Sequence, residues 1–524
     1  MAERPQTSYD EVPYESWAFP QTHPDRLATL ASLFGMDPPA IDHCRVLELG
    51  CASGGNLIPM ALELPDSQFV GIDLSGRQIA DGRAQVERLG LRNLDLRHLS
   101  ITDVDQDLGQ FDYIIAHGIY SWIPDAVQDK LLAICGQQLS SQGVAYVSYN
   151  TYPGWRMRGM IRDMMQYHAR QFETSLRVPQ ARALLDFLSQ NVPTENNAYG
   201  ITLKGEVELL RQQPDHYLFH EHLEENNEPL YFYQFAERAA KHRLQYLAEA
   251  DFSSMLASNF SPQVAETLRR VAPDIVRMEQ YMDFLRNRTF RQTLLVRQEV
   301  RLQRDLNAHS VMAFQVASPA RAVSAKPDIQ GSQVEQFQAP NNATLNAGNP
   351  LTKAAMQVLS ERWPQTLPFR RLRQAARTRL EPLQSPDLNA QQDDWALGLD
   401  ILQAYTAAIV ELRIRPPVFT LTIGERPLAS PWARLQAQRG PRVTSLRHET
   451  VGLDEFSRQL LQLLNGERDR EALLAELNRL VEQGVLVANQ DGKPVKDPQL
   501  VNQLLVRALD QALPNLARWA LLLG

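Results

Sequence analysis

Three cysteines in 524 residues, Cys44, Cys51 and Cys135, are too few and too scattered for a disulfide framework or a zinc site. A reducing cytoplasm is therefore the expected setting. No stretch of about eighteen apolar residues occurs, which leaves no candidate membrane span. The opening residues, MAERPQTSYDEVPYES, lack a basic start and an apolar core, so they do not read as a secretory signal. Basic excess is missing too. Lys plus Arg total 53 against 61 Asp plus Glu, and the net charge of −8 argues against a general nucleic-acid binder. One segment runs against that balance. Leu351–Thr450 holds 14 Lys plus Arg, 13 of them arginine, against 9 acidic residues, which suits an acidic partner or, more simply, a solvated helix face.

What is present is a soluble composition, 44% hydrophobic and 22% charged, in a chain long enough for several domains. The first 150 residues alternate β-branched runs with amphipathic stretches. Arg45–Leu49, Gln68–Asp73, Leu94–His98, Phe111–His117 and Gly143–Tyr149 predict strands, with helices at Gly76–Leu89 and Asp125–Gln138. That alternation predicts an α/β fold of Rossmann type: a mostly parallel sheet, helices on both faces, and ligand at the carboxyl ends of the strands. This unit spans 1–153. A helical domain is expected over 154–304, where the strand signals stop and Leu230–Glu249 and Ile275–Leu302 show helical spacing. A linker or extended ribbon is expected over 305–350. A mixed module over 351–524 has helices followed by a strand-like pair, Glu411–Ile414 and Val418–Ile423, in the manner of a winged helix. The sequence does not fix the oligomeric state.

The stretch VLELGCASGGN, Val46–Asn56, carries the chemistry. A strand ending in Glu48 and running into glycines is expected to leave backbone N–H groups facing an open space, with no Cβ to block a ligand. Gly50-x-Ala52-x-x-Gly55 nearly matches the dinucleotide fingerprint, and Asp73, 23 residues after Gly50, could hold ribose hydroxyls. Taken alone, this suits either a nicotinamide dinucleotide or S-adenosylmethionine.

ELGCASGGN and GIDLS at Gly71–Ser75 resemble the first two motifs of class I S-adenosylmethionine-dependent methyltransferases, with Ala52 where a middle glycine is usual. FDYII at Phe111–Ile115 is similar to their fourth strand. A narrower resemblance rests on SYDEVPYES, FPQTHPDRLATLASLFG, HGIYSWIP, YNTYPGW and LFHEHLEENNEPLYFYQFAERAAKHRLQYLAEADF, in that order. Together they resemble bacterial methyltransferases that carry a methyltransferase regulatory domain, a group including the rickettsial protein lysine methyltransferases. The resemblance implies S-adenosyl-L-methionine as cofactor, held by Glu48, Gly50, Ala52, Gly54 and Asn56. Asp73 would grip the ribose, Leu74, Ser100 and Ile101 would border the adenine, and an N-terminal lid would include Tyr9, Tyr14, Phe19, His23 and Arg26. It also implies a protein substrate, lysine among the acceptors.

His117, Tyr120, Asn150 and Tyr152 are the candidate catalytic residues, with Trp122, Tyr149 and Trp155 as further aromatics near the acceptor. His117 could act as a general base or shape the pocket. Asn150 could orient an acceptor amine or cap a turn. The aromatic rings could face a cation or pack the core. Arg26 could pair a carboxylate of the cofactor or salt its own helix. His216, His220 and His222 are not spaced as metal ligands, so no metal is expected. Glu221, Glu224, Glu225 and Glu228 could draw a basic segment or simply lie on a solvated surface. Two other functions stay open: methylation of a small molecule under a helical lid, and cofactor sensing without turnover.

Overall fold

The structure, a computed structural model, describes residues 15–381, 387, 389–490 and 493–524. Its centre is a seven-stranded sheet ordered β3-β2-β1-β4-β5-β7-β6. The strands are β1 Arg45–Leu49, β2 Gln68–Asp73, β3 Leu94–His98, β4 Phe111–Ala116, β5 Leu139–Asn150, β6 Leu244–Glu249 and β7 Phe290–Arg297. β1 to β5 pair in parallel, and β7 lies antiparallel to both β5 and β6. The central strands are buried on both faces, which is why β1, VLEL after Arg45, reads as a continuous apolar run.

Two strands of this sheet fall where only helices are expected. The helix Phe232–Lys241 ends at His242, and Arg243 at φ +60° turns the chain into β6. Likewise the helix Ile275–Arg286 is capped by Asn287 at φ +48° before β7. Left-handed residues end helices efficiently, but here neither is the glycine that usually announces them. The apolar spacing therefore reads as unbroken helix. The sheet therefore takes strands from both sides of Gly154, five before it and two after.

Side chains alternate across the sheet into two cores. One contains Val46, Phe69, Tyr113, Val144 and Leu294 and continues into Val316, Phe337, Leu359, Leu372, Ile401 and Leu412. The second contains Leu47, Ile72, Ile114, Val147 and Leu295, against the helices Asp125–Gln138 and Phe232–Lys241. The 305–350 segment is thus an extended ribbon built into the first core, with β8 Gln315–Ala317, β9 Arg321–Ala322, β10 Glu335–Gln338 and β11 Thr344–Ala347. β8 pairs with β12 Leu367–Pro368 and β13 Glu411–Arg413. Val418–Ile423 forms no strand; Thr420 N–H donates instead to Leu522 O at 3.0 Å and Thr422 N–H to Thr420 Oγ1 at 3.0 Å.

Three helices, Trp155–Ala169, Thr174–Asn191 and Ala198–Arg211, form a small third core. A fourth lies in the last hundred residues, where helices surround the hairpin of β14 Arg442–Thr444 and β15 Thr450–Gly452. The arginine-rich segment faces its own chain: Arg373 meets Asp387 at 2.6 Å and Arg379 meets Glu361 at 2.6 Å. Among the described residues no helix is long and apolar enough to cross a membrane.

Candidate active site

The bend after β1 is set by three positive φ angles, +78° at Gly50, +50° at Ala52 and +75° at Gly54. A Cβ on Gly50 would lie 2.6 Å from the Ile119 side chain, and one on Gly55 would lie 2.2 Å from the Ser16 carbonyl oxygen. These glycines are thus required by backbone conformation and internal packing; the room a Cβ would take is already filled by protein. The loop amides differ from expectation as well. Gly50 and Cys51 N–H donate to Ile72 O at 2.8 and 3.0 Å, and Gly54 N–H donates to Cys51 O at 2.9 Å. Ala52 N–H donates to Asp73 Oδ2 at 2.8 Å and Gly55 N–H to Ser16 Oγ at 2.8 Å. A pyrophosphate needs free donors, and these five amides are engaged, which weighs against the dinucleotide reading.

Carboxylates sit here instead. Glu48, next to last in β1 and buried, accepts a hydrogen bond on Oε1 from Asn56 Nδ2 at 2.8 Å. Its Oε2 is buried with no hydrogen-bond partner. Burial pushes the Glu48 carboxyl up to about 8 against the Asn56 hydrogen bond, and the Asp73 charge adds to the rise. A buried, unpartnered oxygen beside a second carboxylate suits a cationic ligand, which would neutralise both. S-adenosylmethionine, with a sulfonium and an ammonium group, fits that donor set.

Asp73 ends β2 and holds two amides, Ala52 on Oδ2 and Ser75 on Oδ1, each at 2.8 Å. Leu74 beside it is 49% exposed, an apolar surface at the carboxyl end of the strand. Ser100 caps the short turn Ile101–Asp103 after β3 by accepting from Thr102 N–H at 3.2 Å, with Ile101 half-buried. The N-terminal segment lies across the loop: besides the Ser16 contact, Phe19 N–H donates to Asn56 Oδ1 at 2.9 Å. Tyr9 and Tyr14 lie outside the described residues.

His117 follows β4. Its ring centroid is 3.9 Å from that of Phe19 and 6.3 Å from that of Phe290, and Nδ1 is 2.9 Å from the Tyr146 hydroxyl. Burial pushes its pKa down to about 4, so the imidazole is neutral near pH 7 and a poor base for an ammonium. Tyr120 lies in the core: it is fully buried, edge-on to Phe235 at 5.3 Å and 6.0 Å from Tyr149. Asn150 is also buried; its Nδ2 donates to Asn227 at 3.0 Å, tying β5 to the following segment. Tyr152 is partly exposed, with Tyr231 at 5.3 Å and the Arg156 guanidinium 3.9 Å over its ring. Trp122 and Trp155 pack edge to face at 6.3 Å. His117 therefore sits beside Phe19, whereas Tyr120 packs in the core and Asn150 holds the Asn227 side chain.

Arg26 faces the C-terminal half, 3.4 Å from Leu412 O and 3.9 Å from Glu411. His220 and His222 are buried in the π-helical turn Phe219–Leu223. Among the described residues no group of three or more His, Cys, Asp or Glu could hold a metal. Glu221 is no solvated surface acid: burial pushes it up to about 7, against the pull of Arg158 and Arg162. Sequence reasoning missed Tyr146 and Phe290, which surround His117, and His448, whose Nε2 is 2.8 Å from Asn56 Oδ1. Only the alternation within β5 hints at Tyr146; nothing local points to the other two.

Comparisons with known proteins follow this geometry along the chain. Residues 47–145 match a methyltransferase domain, 214–297 a predicted methyltransferase regulatory domain, and 425–521 the PKMT C-terminal winged-helix domain. An uncharacterised Rickettsia prowazekii protein is 38% identical over 506 residues, 95% of this chain and 90% of its own. PKMT2 from Rickettsia typhi, solved in complex with AdoHcy, superposes with a TM-score of 0.88 at 31% identity, over 98% of this chain and 100% of that one. Fold and site define a class I S-adenosylmethionine-dependent methyltransferase. More narrowly, the chain belongs to the methyltransferases that combine this catalytic sheet with a methyltransferase regulatory domain and a PKMT-type winged-helix domain.

Proposed function

We propose that this enzyme methylates protein side chains in the cytoplasm, with lysine as the acceptor. The observation that carries the reading is the end-to-end likeness to PKMT2, both accessory domains included. We read PKMT as protein lysine methyltransferase. S-adenosylmethionine supplies an electrophilic methyl group on sulfur, and an aligned acceptor displaces it in line. On this reading Glu48 and Asp73 hold the cofactor, while Leu74, Ser100 and Ile101 border its adenine. The rings of Phe19, Phe290 and Tyr146 around His117 make an apolar wall, which favours the neutral form of an arriving amine. His117, neutral and weakly basic, shapes that wall and hydrogen-bonds Tyr146.

A chain of aromatic rings supports a polypeptide substrate. Tyr152 contacts Tyr231, which contacts Tyr233 at 5.8 Å and Phe284 at 6.0 Å. Tyr233 and Phe284 are exposed, and exposed apolar patches of this kind mark interaction surfaces. All three cysteines are free and buried, in keeping with a reducing compartment.

The test is incubation with methyl-labelled S-adenosylmethionine and host-cell extract. Label in precipitated protein, on lysine by mass spectrometry, is the expected result. Label confined to the soluble small-molecule fraction would overturn the protein reading, and cofactor binding without any label would point to a sensor.

A further inference from the structure

The C-terminal domain reaches the cofactor loop through the His448 side chain. Asn56, buried between the loop and the helix Leu57–Glu63, uses its whole amide. Nδ2 donates to Glu48 Oε1 at 2.8 Å and to Thr22 Oγ at 3.0 Å. Oδ1 accepts from Phe19 N–H at 2.9 Å and lies 2.8 Å from His448 Nε2. A backbone N–H can only donate, so the Phe19 contact fixes which end of the amide is oxygen. His448 must then carry its proton on Nε2; its Nδ1 is buried without a partner.

His448 is held there at a cost. It sits in the turn between β14 and β15 at φ +64°, a left-handed conformation that bulky side chains disfavour. The turn is closed by His448 N–H to Ser445 O at 2.9 Å and Ser445 N–H to Glu449 O at 2.8 Å. Next to it, Arg447 anchors the hairpin to Glu411 at 2.7 Å and to Pro364 O at 2.9 Å. The imidazole also packs edge-on to His23 at 5.1 Å.

We propose that His448 is a positioning residue through which the C-terminal domain sets cofactor affinity. By donating to Asn56 Oδ1 alongside Phe19 N–H, it holds the amide with its NH2 on Glu48, which leaves Glu48 Oε2 as the oxygen available to the cofactor. The inference rests on the cofactor assignment made above. It also makes the C-terminal domain part of the cofactor site, 392 residues from the loop in sequence.

Calorimetric titration of the full-length protein with S-adenosylhomocysteine tests this, with thermal unfolding of the unliganded protein measured alongside. His448→Gly removes the imidazole and relieves the left-handed strain, so a purely structural role predicts unchanged or higher stability and unchanged binding. The expected result is a retained unfolding midpoint, strain relief offsetting the lost hydrogen bond, and a Kd weakened about ten-fold because the released amide presents Glu48 correctly for a smaller share of the time. His448→Gln, which can donate from a similar position, should recover most of the affinity. Wild-type affinity in His448→Gly, or equal weakening in both variants, would overturn the inference alone. No binding by the wild type would overturn the cofactor assignment and this inference with it.

Discussion

Glu249 on β6 and Arg291 on β7 meet at 2.6 Å with neither side chain reaching solvent. The same guanidinium holds Asp283 at 2.8 Å and Glu279 at 2.9 Å and lies 3.8 Å over the Phe232 ring. Removing one partner of a buried ion cluster costs about 3–5 kcal/mol, because the others are left uncompensated. Arg291→Ala should therefore lower the unfolding midpoint by several degrees in scanning calorimetry. Arg291→Met, which keeps the bulk, should lower it as well, since the three carboxyls lose the same cation.

The cluster also sets a pH dependence. Arg288 joins it through Glu249 at 2.9 Å, so two arginines face three carboxyls, and charge balances when one carboxyl keeps its proton. Burial pushes the Glu279 carboxyl up to about 7 against the pull of Arg291, and raises that of Asp283 as well. A folded-state pKa above the ordinary 4.5 gives stability that is complete below about 4.5 and lost as pH rises through about 7. Glu249 is held below its ordinary value by Arg291 and Arg288 despite burial, so its contribution is present at neutral pH and lost on acidification. The midpoint of Glu279→Gln relative to the wild type should therefore climb between pH 5 and pH 7.

Asp73 combines two tasks, anchoring the loop amide of Ala52 and, in the proposed complex, binding the ribose. Asp73→Ala should weaken S-adenosylhomocysteine binding by about 100-fold or more, with two or more charge-assisted hydrogen bonds lost. Leu74→Ala, which trims only an apolar flank, should weaken it by less than about ten-fold. Titration calorimetry of both variants checks the order.

Glu48 links cofactor binding to protons. Its carboxyl, pushed up to about 8, is mostly protonated at pH 7 in the unliganded protein. A cationic cofactor favours the ionised form, so binding near pH 7 should release a proton from Glu48 and tighten as pH rises towards 8. Glu48→Gln should bind more weakly and lose that share of the proton release. Titrations in two buffers of different ionisation heat measure the released protons directly.

The first five strands were legible because glycine, aspartate or proline punctuates nearly every apolar run. β6 and β7 were not, since the breaks before them fall on Arg243 and Asn287, left-handed residues that lack the glycine which usually marks such a stop. In the site, Glu48 and Asp73 could be read from strand ends and a 23-residue spacing. The loop's hydrogen bonding could not: a glycine run implies open amides, and only the fold shows Ile72, Asp73 and Ser16 occupying them. Phe290 and His448 carry no local signal, because they come to His117 and Asn56 from distant parts of the chain.

The order in which the sheet is assembled has a consequence for biosynthesis. β5 ends at Asn150, but its antiparallel neighbour begins at Phe290, so a ribosome must add about 140 further residues before that flank can zip up. Until then the nascent chain presents a long, apolar, unsatisfied edge, the kind of template that draws other chains into aggregates. Chaperone capture of partly translated polypeptide, and insolubility of fragments cut after residue 153, are the costs of splitting one sheet across so long an insertion.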